Sequence, residues 1–182
     1  EAKRLALSLL DYIDIIEVGT PLILRYGLSI VAEIKNLVGK KKVFADTKIV
    51  DAGSWETEEA LKSGADMVSL LAGASFFTLR EAKEVCQSRG ARLVVDSIDF
   101  FFPCPQKVKE IKEIDPDFLS LHLASDAFHK GENWLEAMEK SPFLSEKGFA
   151  FMVAGGISLS SLPRIIKEIS PSVVVVGSAI TN

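Results

Sequence analysis

Short, almost wholly apolar runs alternate with longer helical patterns along this chain, and that alternation limits the fold more than any other feature. The apolar runs stand at Tyr12–Val18, Lys42–Asp46, Asp66–Leu71, Arg92–Ser97, Phe118–His122, Phe149–Val153 and Val173–Val176. Helical patterns lie near Tyr26–Val38, Thr57–Ser63, Phe76–Ser88, Gln106–Ile114, Trp134–Glu139 and Ser160–Ile169, and Glu1–Leu10 also reads as helix. Gly39, Gly64, Gly90 and Gly148 stand where helices should end. Strands apolar at nearly every position belong to a parallel sheet covered on both faces. A repeated βα pattern folds as an open doubly wound sheet or as a closed barrel.

The strand ends favour the barrel. The first strand lacks the G-x-G-x-x-G fingerprint of dinucleotide-binding sheets. Instead, polar groups recur at the C-terminal ends of several strands: Glu17, Asp46, Asp96, His122, and the turns Gly155-Gly156 and Gly177-Ser178. A (β/α)8 barrel distributes its functional groups in this way. The expected fold is therefore α/β, a (β/α)8 TIM barrel, as one domain over residues 1–182. The chain opens on a helix and shows none after its last strand. The barrel thus reads as lacking its first strand and last helix.

Composition narrows the partners. With 48% hydrophobic and 25% charged residues the profile is that of a soluble globular domain. A net charge of −4 offers no overall attraction to nucleic acid or an anionic membrane. No apolar stretch reaches the ~20 residues of a membrane span, and no signal peptide is read. Cys86 and Cys104 have no metal-type spacing, so a reduced, cytoplasmic protein is expected. Lys40-Lys41-Lys42 reads as a solvated strand entrance, Phe100-Phe101-Phe102 as loop packing, and Trp55 and Trp134 as packing residues.

The chemistry concentrates in Phe44-Ala45-Asp46-Thr47-Lys48-Ile49-Val50-Asp51-Ala52-Gly53. Strand alternation puts Asp46 and Lys48 on one face, with Asp51 in the turn before the next helix. A lysine between carboxylates is held protonated and is suited to stabilise an oxyanion or deliver a proton. The plainer alternative is a surface ion-pair cluster. Glu17 shares a face with Ile13 and Ile15 at the end of a buried strand, where a carboxylate needs a cation or a partner. With Asp46 it makes a hard-cation site suited to Mg2+; a salt bridge to Lys48 is the alternative. His122 at a strand end is able to shuttle protons near neutral pH. Asp126 is placed to orient its loop or meet a substrate hydroxyl. The glycine turns at Gly155-Gly156 and Gly177-Ser178 offer backbone N–H groups to a phosphate.

Together these residues resemble the orotidine 5′-monophosphate decarboxylase superfamily of barrels and, within it, the 3-hexulose-6-phosphate synthase branch. The resemblance runs over nearly all of the chain. It rests on Asp14-Ile15-Ile16-Glu17-Val18-Gly19-Thr20-Pro21, the Asp46–Gly53 motif, Gly64-Ala65-Asp66, Val94-Val95-Asp96, His122 with Asp126, Val153-Ala154-Gly155-Gly156-Ile157 and Val176-Gly177-Ser178-Ala179-Ile180-Thr181. It implies a Mg2+-dependent aldol condensation of formaldehyde with D-ribulose 5-phosphate to D-arabino-3-hexulose 6-phosphate, through a metal-stabilised enediolate. Under it, Glu17 and Asp46 hold Mg2+, Lys48 donates to the developing charge, His122 relays the proton at C1, and Asp96 orients groups nearby. Asp51 then reaches into a partner subunit's site, which implies a homodimer, and Gly155, Gly156, Gly177 and Ser178 bind the phosphate. A sister 3-keto-L-gulonate-6-phosphate decarboxylase and a non-catalytic phosphosugar-binding paralogue are the alternatives. Ser125 stands where the sister decarboxylase carries arginine, and Asp96 where it favours Glu, which points to the synthase branch.

Overall fold

A computed structural model of the chain describes residues 1–98, 104–131 and 134–181. Its seven strands hydrogen-bond in sequence order within one sheet: β1 (Ile15–Val18), β2 (Lys42–Ile49), β3 (Met67–Leu71), β4 (Arg92–Asp96), β5 (Phe118–His122), β6 (Phe151–Ala154) and β7 (Val173–Val174). The pairings of β1 with β2, β2 with β3, β5 with β6 and β6 with β7 are parallel. A doubly wound sheet would reverse its strand order at a switch point, whereas sequential order is that of a (β/α)8 barrel. The architecture is thus α/β, with seven of a barrel's eight strands among the described residues.

The chain divides into two compact units, one formed by 1–70 with 74–94 and the other by 71–73 with 95–182. In the first, α1 (Ala2–Leu9) and α2 (Thr20–Tyr26) pack against α3 (Ser29–Val38), and α2, α3 and α4 (Gly53–Lys62) pack on β2. The helix expected near Tyr26–Val38 is α3, which begins at Ser29; α2 before it was not expected. Pro21 opens α2, and Gly27 closes it by donating its N–H to the Ile23 carbonyl. α4 also packs against α5 (Phe76–Arg89). A Cβ on Gly53 would lie 2.1 Å from the Thr78 carbonyl oxygen, so only glycine lets these helices approach so closely.

The strand entrances of this unit are tied together by Asp66. Its Oδ2 accepts from Lys35 Nζ at 2.6 Å and from the Val43 N–H at 2.9 Å, and its Oδ1 accepts from Lys42 Nζ at 3.1 Å. Its own backbone bonds to Val43 and to Arg92, linking β2, β3 and β4. The basic run is therefore not merely solvated: Lys42 pairs with Asp66, and Lys41 Nζ donates to the Ile13 carbonyl at 2.6 Å.

The second unit holds α6 (Pro105–Ile114), α7 (Ser125–His129), α8 (Trp134–Glu139), α9 (Leu162–Ile169) and α10 (Ser178–Thr181). The short α7 and the single turn of α10 were not expected from the sequence pattern. In both units the central strands are buried at nearly every position, as Val43, Val68, Leu93, Val95, Leu119 and Leu121 show. That is the burial expected of a parallel sheet covered on both faces. Trp134 does pack, at 3% exposure, but Trp55 does not: it is 68% exposed on α4. Phe100-Phe101-Phe102 lies outside the described residues. Among the described residues no helix is long and apolar enough to cross a membrane.

Burial by itself would raise the Asp66 carboxyl, but hydrogen bonds from Lys35, the Val43 N–H and Lys42 outweigh it and hold the group below its ordinary 3.8. A depressed carboxyl contributes stability above its unfolded value and loses it as pH falls through the folded value. Asp66→Asn is expected to lower unfolding free energy at neutral pH by about 2 kcal/mol. It should also flatten the loss of stability that sets in as pH falls below about 4 in urea titrations. An unchanged pH dependence would show that Asp66 is not the linked group.

Candidate functional site

Two polar clusters form at strand C-terminal ends, one in each unit. The first is built on a bulge in β2. Ala45 pairs with Val68 and Ile49 with Leu70, so β2 advances four residues while β3 advances two. The surplus is taken up between Asp46 and Lys48, where Lys48 adopts a left-handed φ of 51°. The sequence reading ended this strand at Asp46 and joined Asp46 to Lys48 by simple alternation. The strand instead runs on to Ile49, and the bulge replaces the alternation.

The two side chains meet nonetheless. Lys48 Nζ lies 3.1 Å from Asp46 Oδ1, with side-chain exposures of only 22% and 11%. Ser69 Oγ donates to the same Oδ1 at 2.8 Å. Thr20 Oγ1 lies 3.0 Å from Oδ2 and donates to the Asp46 carbonyl at 2.6 Å. Ser69 Oγ also accepts the Lys48 N–H at 2.9 Å, and Thr47 Oγ1 donates to the Ser69 carbonyl at 2.9 Å. A carboxylate this far from water requires such partners.

Glu17 pairs with Phe44 across the β1–β2 ladder, which puts Glu17, Phe44 and Asp46 on one face. Glu17 is exposed, contrary to the buried position the strand pattern suggested; its neighbours Ile16 and Val18 are the buried ones. Asp51 follows the strand as expected, in the turn before α4. It is exposed, and its Oδ1 accepts the Ala52 N–H at 2.8 Å rather than joining Asp46 and Lys48. Ala52 is itself left-handed, with φ 48°.

The second cluster joins β4 to β5. Asp96 is 3% exposed, and His122 Nδ1 lies 2.9 Å from its Oδ2 and 3.2 Å from its Oδ1. An ionised carboxylate only accepts, so Nδ1 carries a proton, and in the neutral ring Nε2 keeps its lone pair. Asp96 Oδ1 also accepts the Ile98 N–H at 3.0 Å, and its carbonyl accepts from Ala72 at 2.8 Å. Beside it, Ser97 Oγ donates to the Ser120 carbonyl at 2.7 Å.

The Gly155-Gly156 turn closes on this cluster. A Cβ on Gly155, at φ 86°, would lie 1.9 Å from the Leu123 carbonyl oxygen and 3.1 Å from His122 Cδ2. A Cβ on Gly156 would meet the Phe128 ring at 2.3 Å. Trp134 Nε1 donates to the Ala154 carbonyl at 2.8 Å, fixing the end of β6. Asp126 is exposed in the first turn of α7. Gly177 and Ser178 are exposed at the start of α10, where the Gly177 carbonyl accepts from Ile180 and Thr181.

The sequence reading missed the clamping roles of Ser69 and Thr20. The trace of Ser69 was a serine inside an otherwise apolar strand; Thr20 left none beyond its place after Gly19. As a cation site, the Glu17–Asp46 face presents only hard oxygen donors. Among the described residues no group of three or more His, Cys, Asp or Glu is arranged to hold a metal ion. Mg2+ takes one or two carboxylates and fills its shell with water or substrate oxygens, and Glu17 and Asp46 are carboxylates on this face that could serve it.

With this geometry in view, the comparisons are specific. Residues 1–182 match the orotidine 5′-phosphate decarboxylase / HUMPS family. The chain is 34% identical over 184 residues to a 3-hexulose-6-phosphate synthase of Staphylococcus epidermidis, covering 100% of this chain and 85% of that protein. A 3-hexulose-6-phosphate synthase of Bacillus subtilis is 34% identical over 182 residues, with the same coverage. Among solved structures, the 3-hexulose-6-phosphate synthase of Salmonella typhimurium superposes with a TM-score of 0.91 at 32% identity, over 100% of this chain and 84% of that one.

Gly155→Ala combines a left-handed backbone with a clash against a carbonyl. It is expected to destabilise the protein by about 3 kcal/mol or more. Gly177→Ala, with nothing within 4 Å of its Cβ, should stay within about 1 kcal/mol of the parent. Urea unfolding of the two variants side by side tests the difference.

Proposed function

The chain belongs to the orotidine 5′-phosphate decarboxylase / HUMPS family, and we propose that within it the protein catalyses the aldol condensation of formaldehyde with D-ribulose 5-phosphate. It is a lyase of the 3-hexulose-6-phosphate synthase kind acting on a phosphosugar. The observation that carries the finer reading is the retention, in bonded pairs, of the groups the reaction needs: Asp46 with Lys48, and Asp96 with His122.

The reaction removes a proton from C1 of ribulose 5-phosphate, adds the resulting enediolate carbon to formaldehyde, and returns a proton to the formaldehyde oxygen. His122 Nε2 has its lone pair available for the C1 proton, because Nδ1–H is engaged by Asp96. The same nitrogen then carries the proton to the new alkoxide. Lys48 supplies a fixed positive charge for the enediolate oxygens; Asp46, Ser69 and Thr20 keep it and its strand end in place. Glu17 and Asp46 would hold Mg2+, which when bound supplies Lewis acidity toward the ketose oxygens. Backbone N–H groups at Gly155-Gly156 and Gly177-Ser178 take the phosphate, and Asp126 meets a sugar hydroxyl. Asp51, turned out into solvent, completes the site of a second copy, so the working form is a homodimer. The reading places the protein in the cytoplasm.

Formaldehyde should disappear in the presence of ribulose 5-phosphate, and EDTA should stop it. Lys48→Ala and His122→Ala should each reduce kcat by roughly 10²- to 10⁴-fold. Release of CO2 from 3-keto-L-gulonate 6-phosphate without formaldehyde consumption would favour the sister decarboxylase instead. Shared sites are tested separately. Mixing inactive Lys48→Ala and Asp51→Ala proteins after subunit exchange should restore activity, and no recovery would count against a site completed by the partner.

A further inference from the structure

Ser69 occupies an unusual position. It is fully buried in β3, opposite the bulge of β2, and its hydroxyl serves two groups at once. The oxygen accepts the Lys48 N–H at 2.9 Å and the proton goes to Asp46 Oδ1 at 2.8 Å. The bulge takes the Lys48 N–H out of the regular strand ladder, and a buried N–H without an acceptor is costly. Lys48 also sits at φ 51°, a region disfavoured for any residue with a Cβ and kept only where the surroundings over-determine it.

We infer that Ser69 is a positioning residue for the Asp46–Lys48 pair, a clamp that sets the angle at which the lysine leaves the strand. This inference rests on the proposed role of Lys48 as the group facing the enediolate charge. A hydroxyl has one proton and must orient it. Accepting from Lys48 leaves that proton for the carboxylate, so the two bonds enforce each other. Thr47 reinforces the same junction through the Ser69 carbonyl. The serine therefore acts on the lysine's backbone and on the carboxylate's orientation together, which alanine cannot do.

The test compares Ser69→Ala and Ser69→Thr. Ser69→Ala should lower kcat for the aldol reaction by roughly ten- to a hundredfold while KM for ribulose 5-phosphate stays within about twofold, because a bond to a charged group is lost but the substrate contacts remain. Ser69→Thr, which keeps the hydroxyl, should recover most of the rate. Amide hydrogen exchange in the substrate-free protein provides a readout that needs no turnover. The Lys48 N–H should exchange at least about tenfold faster in Ser69→Ala than in the parent, with β3 and β4 amides unaltered. Retained kcat in Ser69→Ala overturns the inference, as does a loss that Ser69→Thr fails to repair. If the parent consumes no formaldehyde, the proposed function fails, and exchange at Lys48 decides the clamp by itself: faster exchange confined to the bulge supports it, and unchanged exchange overturns it.

Discussion

Asp46 is a carboxylate held almost out of water, and much of the first unit's strand-end structure follows from keeping it there. A buried charge is tolerated only with opposite charge and hydrogen bonds around it. Lys48 and Ser69 meet one oxygen and Thr20 the other. To bring the lysine within reach, β2 departs from its ladder, and to hold that departure the Lys48 N–H is handed to Ser69. The polar strand end is thus a single set of mutually dependent bonds rather than a row of separate side chains. The apolar residues below it, among them Val43, Ala45 and Val68, give it a rigid base.

The second unit solves a related problem with a different pair. Asp96 is more deeply buried than Asp46, and its partner is an imidazole instead of an ammonium. The consequence is chemical as much as structural: the buried carboxylate fixes one ring nitrogen as donor and so defines the other as base. Gly155 makes the arrangement compact, because its missing side chain lets β6 close on the Leu123 carbonyl and the edge of the His122 ring.

Much of this was legible in the residues. Largely apolar runs that end in Glu17, Asp46, Asp96 and His122 are what a parallel sheet with functional strand ends must look like. The Asp-x-Lys spacing was visible too, although for an incomplete reason: alternation would join those side chains only on a regular strand, and β2 is bulged there. Glu17 was read as buried from the same periodicity, yet it is exposed while Ile16 and Val18 face the packed side. Trp55 has the residue type of a packing position, but it stands exposed on α4. In each case local periodicity spoke for the direction of a side chain and could not speak for what lies against it.

The sequence by itself determined the βα order and the kinds of group placed at each strand end, because these depend on local pattern and residue type. Only the tertiary structure decided which hydroxyl would clamp the Asp46–Lys48 pair, which nitrogen of His122 would carry the proton, and which glycine must stay a glycine. Those outcomes depend on atoms brought together from distant positions in the chain, Ser69 against Lys48 and Leu123 against Gly155, at distances of a few ångströms that no spacing along the sequence encodes.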